Sequence, residues 1–110
     1  MTKFETFVGK NDEHYFRLTN EEGKVLLSSE GYTQKTNLLN GIESVKKNIT
    51  SPDKYEMKTA GNGKHFFNLK ATNGQVISTS AMWDSPDLRD TWMKKMKTEV
   101  PQAPVLELKK

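Results

Sequence analysis

Two histidines and three glutamates are the residues of this chain most suited to chemistry. His14 and His65 are the only imidazoles, and Glu5, Glu56 and Glu107 recur at intervals of 51 positions. A metal shared by the histidines would need both rings on one ion, at about 2 Å, and at least one further ligand. The spacing instead sets the two at matching strand starts far apart, so no metal site is expected. Carboxylates brought side by side would share a proton and raise one pKa. The neighbouring Lys3, Lys54 and Lys109 favour solvent-facing cross-strand pairs, each worth a few tenths of a kcal/mol. Paired carboxylates without a cleft do not make a glycosidase.

Other catalytic signatures are missing from the sequence. Ser28, Ser29, Ser44 and Ser80 lie in no G-x-S-x-G elbow. No G-x-x-x-x-G-K-[ST] loop occurs, and "GNGKHF" (61–66) falls between strands and reads as a hairpin turn. The absence of cysteine excludes disulfides, thiol catalysis and cysteine-ligated zinc. The expectation is a non-enzyme with no catalytic residue, metal or cofactor.

The densest stretch is "SEGYTQKTNLLNGIESVKKN", residues 29–48. Gly31 is expected to take a backbone conformation closed to other residues where a strand turns toward a helix. Gly41 lies inside a helix, at a cost of about 1 kcal/mol relative to Ala, which close helix–sheet approach would offset. Folding does not require Tyr32, Lys35, Glu43 or Lys46, which makes Tyr32 and Lys35 candidate binding residues.

A repeat organises the elements that position these residues. "HYFRLTNEEGKVLLSSEGY" lies over "HFFNLKATNGQVISTSAMW" without a gap at the 51-residue offset, and "VLELK" (105–109) falls on "KYEMK" (54–58). The chain is thus two units, about 1–52 and 53–103, followed by a C-terminal strand, 104–110, all in one domain. Within a unit, "KFETFV" and "HYFRLT" alternate at strand period, "NEEGK" is a hairpin connection with Gly at the positive-φ position, and "VLLSS" is a third strand. Helical spacing follows at Leu38, Ile42, Val45 and Ile49, with Thr33 as N-cap. The second helix opens with Ser85 as cap and Pro86 at its first position, and its apolar stripe reads Leu88, Trp92, Met93, Met96 and Val100. Phe16, Leu18, Phe67, Leu69, Ile42, Val45, Met93 and Met96 are the expected core.

Tandem units carrying "SEGYTQK", "NGIESVKKN" and "LKATNGQVI" resemble the YegP-like family of small bacterial proteins of unknown function. The resemblance implies an α+β fold in which β(3)-α-β units form a single, mostly antiparallel sheet with two helices and swapped C-terminal strands. It implies no activity and no cofactor.

With 34% hydrophobic and 28% charged residues among 110, the chain reads as one soluble domain. No apolar run nears the roughly 18 residues of a membrane span, and "MTKFETFVGKNDEHYF" has no secretory h-region, so the cytoplasm is expected. The net charge is +3. Its densest cluster, Lys94-Lys95-Lys97, reads as a solvated helix face. Helices on one side of the sheet leave the other side to Tyr15, Arg17 and Thr19, and to Phe66, Asn68 and Lys70. Tyr15, Arg17, Phe66 and Lys70 are therefore the leading candidates for a binding surface that takes an unidentified protein partner or a second copy. RNA or single-stranded DNA on the same face is the alternative. It is disfavoured because the aromatic-rich strand signature of RNA-binding sheets is missing.

Overall fold

Alternation over residues 3–8 and 14–19 produces two strands joined by a polar turn, and the same pattern recurs 51 residues later. In the computed structural model, which describes residues 2–108, the first unit comprises β1 (Lys3–Val8), β2 (His14–Thr19), β3 (Val25–Ser28) and α1 (Lys35–Asn48). The second comprises β4 (Tyr55–Thr59), β5 (His65–Lys70), β6 (Val76–Ser80) and α2 (Pro86–Glu99), and β7 (Val105–Glu107) ends the series. Short 3-10 turns, Pro52–Lys54 and Val100–Gln102, lead into β4 and β7. Gly23 and Gly74 take φ of +81° and +85° in matching hairpins, a conformation strained for any residue with a Cβ.

All seven strands join one sheet in the order β4-β5-β6-β3-β2-β1-β7. The halves meet at β3 and β6, which run antiparallel with Leu27 opposite Ser80 and Ser28 opposite Thr79. Ser28 and Thr79 are themselves repeat equivalents, so a pseudo-twofold axis passes through that pair, perpendicular to the sheet. A rotation about such an axis keeps each face on its own side, and α1 and α2 accordingly pack on the same face.

β7 crosses to the first unit and pairs in parallel with β1, placing Val105, Leu106 and Glu107 beside Phe4, Glu5 and Thr6. The Phe4 N–H donates to the Pro104 carbonyl at 2.8 Å, and the Leu108 N–H to that of Thr6 at 2.8 Å. The swapped strand implied by the resemblance is this one; Lys109 and Lys110, included in the expected segment, lie outside the described residues.

The core lies between helices and sheet. All eight expected core residues are buried, joined by Phe4, Leu27, Leu38 and Ile49. Leu26 and Ile77 join it through a one-residue register shift repeated in both units: Leu26 is the extra residue against Leu18/Thr19, and Ile77 against Leu69/Lys70. A bulge of this kind re-aims side chains. Thr19, expected on the uncovered face, keeps that side by its register opposite Lys3 but is buried.

The helix starts differ from expectation in one unit. α1 is capped at Gln34, not Thr33, and without a side-chain hydrogen bond. Position 34 is the repeat equivalent of Ser85, whose Oγ accepts the Leu88 N–H at 3.1 Å; glutamine lacks the short side chain that closes this ring. Leu88 was expected in the apolar stripe but is 42% exposed. It matches exposed Asn37, one position before buried Leu38, so the rotation of the helix turns it outward.

Two outcomes follow. Leu18→Ala and Phe67→Ala should each lower unfolding free energy by about 2–5 kcal/mol in denaturant titrations, and losses below about 1 kcal/mol at both would contradict this core. Truncation after Gln102 removes the cover of Phe4 and Thr6. It should lower the melting temperature by roughly 10 °C or more, given about 4–8 °C per kcal/mol for a small domain.

Candidate functional site

The face away from the helices is set by register. Glu5 opposes Arg17 and Phe7 opposes Tyr15 across β1 and β2; Glu56 opposes Asn68 and Lys58 opposes Phe66 across β4 and β5. These residues share the face because partners in an antiparallel pair point the same way.

In the first half the Phe7 and Tyr15 rings stack with centroids 5.6 Å apart at 17°, and the Arg17 guanidinium lies 4.9 Å from the Phe7 centroid. Arg17 Nε also donates to Glu5 Oε1 at 2.8 Å, and Lys3 Nζ stands 3.7 Å from Glu5. The second half repeats the acid with different partners. Glu56 accepts from Asn68 Nδ2 at 3.2 Å, and Lys70 and Lys58 lie 3.3 and 3.6 Å away. The hydrogen bonds from Asn68 and then Lys70 hold the Glu56 carboxyl below the usual carboxylate range. Thr79 Oγ1 donates to Asn68 Oδ1 at 2.9 Å. Each half thus surrounds one carboxylate with two cations, Lys3 and Arg17 on one side, Lys58 and Lys70 on the other. Between them runs a strip of small hydroxyls, Ser28 and Thr79, both exposed.

Tyr15, Arg17, Phe66 and Lys70 are therefore placed on one face, each half-buried. Tyr32 and Lys35 are not with them: both lie on the helix side. The Tyr32 backbone extends β2 by pairing with His14, through bonds of 2.7 and 2.8 Å, and its ring reaches α1. Burial, with Glu30 nearby, raises the Tyr32 hydroxyl pKa. Lys35 Nζ bonds Glu107 Oε2 at 2.7 Å. This places a carboxylate at the start of a helix whose first turn has no acidic residue.

The motif over 29–48 resolves into packing. Ser29 Oγ accepts the Phe16 N–H at 2.9 Å, and Ser80 does the same for Phe67 at 2.9 Å. Gly31 is not in the left-handed region, contrary to expectation. A Cβ there would stand 2.2 Å from Glu13 Oε1 and 3.0 Å from the Tyr15 hydroxyl, side-chain ends that would have to move aside. At Gly41 a Cβ would meet the Tyr32 hydroxyl at 2.5 Å and ring carbon Cζ at 3.0 Å. The close approach at Gly41 therefore involves the tyrosine, with the sheet contributing Phe16 at 3.5 Å. The second unit has Trp83 in place of Tyr32. It pairs with His65, is buried, and stacks on Phe67 at 6.4 Å and 9°.

The three glutamates are not brought together. β7 sets Leu106, not Glu107, beside Glu5, so Glu107 faces the helices while Glu5 and Glu56 face away. His14 and His65 sit on β2 and β5, with β3 and β6 between them. Among the described residues no group of three or more His, Cys, Asp or Glu is placed to hold a metal ion, and no helix is long and apolar enough to cross a membrane. Phe7 is the surface residue that reading the sequence missed. Its signal was present: alternation set it opposite Phe4, and the "GKNDE" turn puts it across from Tyr15.

A family model described as a domain of unknown function (DUF1508) matches residues 10–56 and again 60–107. A UPF0339 protein from the 5′ region of the ptx operon of Stutzerimonas stutzeri is 44% identical over 105 residues, covering 96% of this chain and 95% of that protein. The UPF0339 protein YegP of Escherichia coli K12 is 40% identical over 94 residues, 86% of each chain. The solution NMR structure of a UPF0339 protein from Shewanella oneidensis superposes with a TM-score of 0.90 at 37% identity, over 97% of this chain and 91% of that one. That of yegP from E. coli gives 0.88 at 37%, over 96% and 91%. The resemblance to the YegP-like family and the fold that it implied are both borne out.

The packing at Gly41 has a measurable consequence. Gly41→Ala should destabilise the protein despite the roughly 1 kcal/mol gain in helix propensity, because the methyl meets the Tyr32 ring. In a Tyr32→Ala background the same change should become neutral or stabilising, a sign reversal that a double-mutant cycle of unfolding free energies would reveal.

Proposed function

We propose, for a chain that belongs to the DUF1508 family, a non-catalytic role: a cytoplasmic interaction module that engages a protein partner through the uncovered sheet face. One observation carries the reading. The face away from the helices presents aromatic rings and excess cations in both halves, Phe7, Tyr15 and Arg17 in one, Phe66, Lys58 and Lys70 in the other. Aromatic residues and arginine are the side chains that most often anchor interfaces. The stacked Phe7–Tyr15 pair is fixed in advance, since Asn11 Nδ2 donates to the Tyr15 hydroxyl at 3.0 Å and Gly9 and Gly31 leave room beside the ring. Pre-organised anchors lose less entropy on binding. Two cations around each acid favour a partner surface that is acidic as well as apolar. Tyr32 and Lys35 fall outside this surface, being part of the packing of α1.

Single-stranded nucleic acid is the second reading, favoured by the same flat rings and excess cations. Salt dependence separates the two. Affinity for a thymidine oligonucleotide would fall steeply and log-linearly with salt, in proportion to its phosphate contacts, whereas an acidic peptide would weaken through its few carboxylates and keep the salt-resistant part that the rings supply.

The test is selection of binders from a displayed random-peptide library, followed by NMR mapping on the labelled protein. Acidic, aromatic-rich binders should shift Tyr15, Arg17, Phe66 and Lys70. A folded Tyr15→Ala/Phe66→Ala variant should bind them more weakly by about 1–3 kcal/mol. Unchanged affinity in that variant, or shifts confined to the helices, would reject the surface.

A further inference from the structure

Two repeats contain three copies of the opening strand, β1, β4 and β7. β7 covers the outer edge of β1. By the pseudo-twofold relation the outer edge of β4 is the equivalent position, and there β4 ends the sheet. The strand that should cover it by symmetry is the one following α1, which is β4 itself. Among the described residues the topology therefore leaves one of two equivalent strand positions without an occupant.

The contrast between equivalent residues measures what is missing. Thr6 is 3% exposed beneath β7, whereas its equivalent Met57 is 46% exposed. Phe4 is fully buried, while its equivalent Tyr55 is half-buried. Beside this edge, between β4 and α2, runs a groove of about 290 Å³ lined by Pro52, Tyr55, Met57, Asp90, Met93, Lys94 and Lys97. The backbone needed for pairing is present. The Thr6 carbonyl points outward to the Leu108 N–H, so both groups of Met57 point outward too, as does the Tyr55 carbonyl. The Tyr55 N–H is turned to Pro52, which marks where the edge begins.

We propose that this edge binds an extended peptide segment as an added strand parallel to β4, with an acidic residue opposite Tyr55 and a large aliphatic residue opposite Met57. Strand addition of this kind draws affinity from main-chain bonds and specificity from alternate side chains in a flanking groove. The occupant is argued from the chain's own example: β7 fills the equivalent position in parallel, with Val105 and Glu107 facing the helices. Charge then distinguishes the two positions. Beside β7, Lys46 lies 5.9 Å from the Phe4 ring at the near end and Lys35 pairs with Glu107 near the far end; in the second unit Pro86 takes the place of Lys35. In the β4 groove Lys97 lies 5.2 Å from the Tyr55 ring, at the near end, so the acidic residue moves to the first helix-facing position. Met93 and Met57 supply the apolar wall for the second.

The probe is the capped peptide Ac-Ala-Pro-Glu-Thr-Leu-Leu-Ser-NH2, titrated into the labelled full chain and followed by NMR. Saturable shifts are expected at Tyr55–Thr59, Met93, Lys94 and Lys97, with nuclear Overhauser contacts in parallel register. Replacing the peptide's Glu by Lys should weaken binding at least fivefold. A Lys94→Glu/Lys97→Glu variant should reverse that preference. Met57→Pro removes the outward N–H while leaving the β5 ladder intact, and should abolish binding without loss of melting temperature. Absence of saturable shifts, shifts centred on Tyr15 and Phe66, an antiparallel register, or a concentration-dependent dimer through β4 would each overturn the proposal.

Discussion

The antiparallel contact between β3 and β6 governs the rest of the architecture. Two three-stranded meanders could have packed as separate layers or back to back. Pairing Ser28 with Thr79 makes one continuous sheet and fixes the pseudo-twofold axis perpendicular to it. Both helices must then share a face, and the opposite face is left without a covering layer. Domains are usually built so that every apolar face finds a layer. Here the uncovered side is instead dressed with ion pairs, hydroxyls and part-buried rings.

The same axis explains why a molecule built from a repeat is not symmetric in its capacities. Each position has a partner 51 residues away, yet the partners differ where they reach solvent. Arg17 becomes Asn68 and Phe7 becomes Lys58, so a stack of rings under a guanidinium in one half becomes an amide-bridged carboxylate in the other. The buried apolar positions of β2 and β5 are kept in kind, Phe16 with Phe67 and Leu18 with Leu69. Close packing tolerates little change in volume, whereas the surface is free to diverge. Tyr32 and Trp83 show the intermediate case, in which a backbone bridge is retained and the ring above it is rebuilt.

Strand number is a second consequence. Crossover from α2 to β1 ties the end of the chain to its beginning, and the Lys35–Glu107 pair adds a link from β7 to α1. An exposed pair of this type contributes about 0–1 kcal/mol. The hold on β7 therefore rests on its main-chain bonds and on the burial of Phe4 and Thr6 beneath it. The other end of the sheet has no such cover, and the difference follows from counting strands.

The match at 51 positions determined the repeat, and periodicity determined the elements and eight of the core residues, because side-chain direction follows directly from a period of 2.0 or 3.6 residues. It also determined that Tyr15, Arg17, Phe66 and Lys70 share a face. Tertiary structure decided what periodicity cannot encode. The bulges at Leu26 and Ile77 broke the alternation of β3 and β6 and brought both residues into the core. The parallel register of β7 turned Glu107 to the face opposite Glu5, although the sequence offset aligned them. Gly31 and Gly41 proved to be sites of contact with Tyr15 and Tyr32, where the sequence had suggested backbone strain at one and sheet approach at the other. Each of these depends on which atoms arrive from elsewhere in the chain, and local sequence carries no record of that arrival.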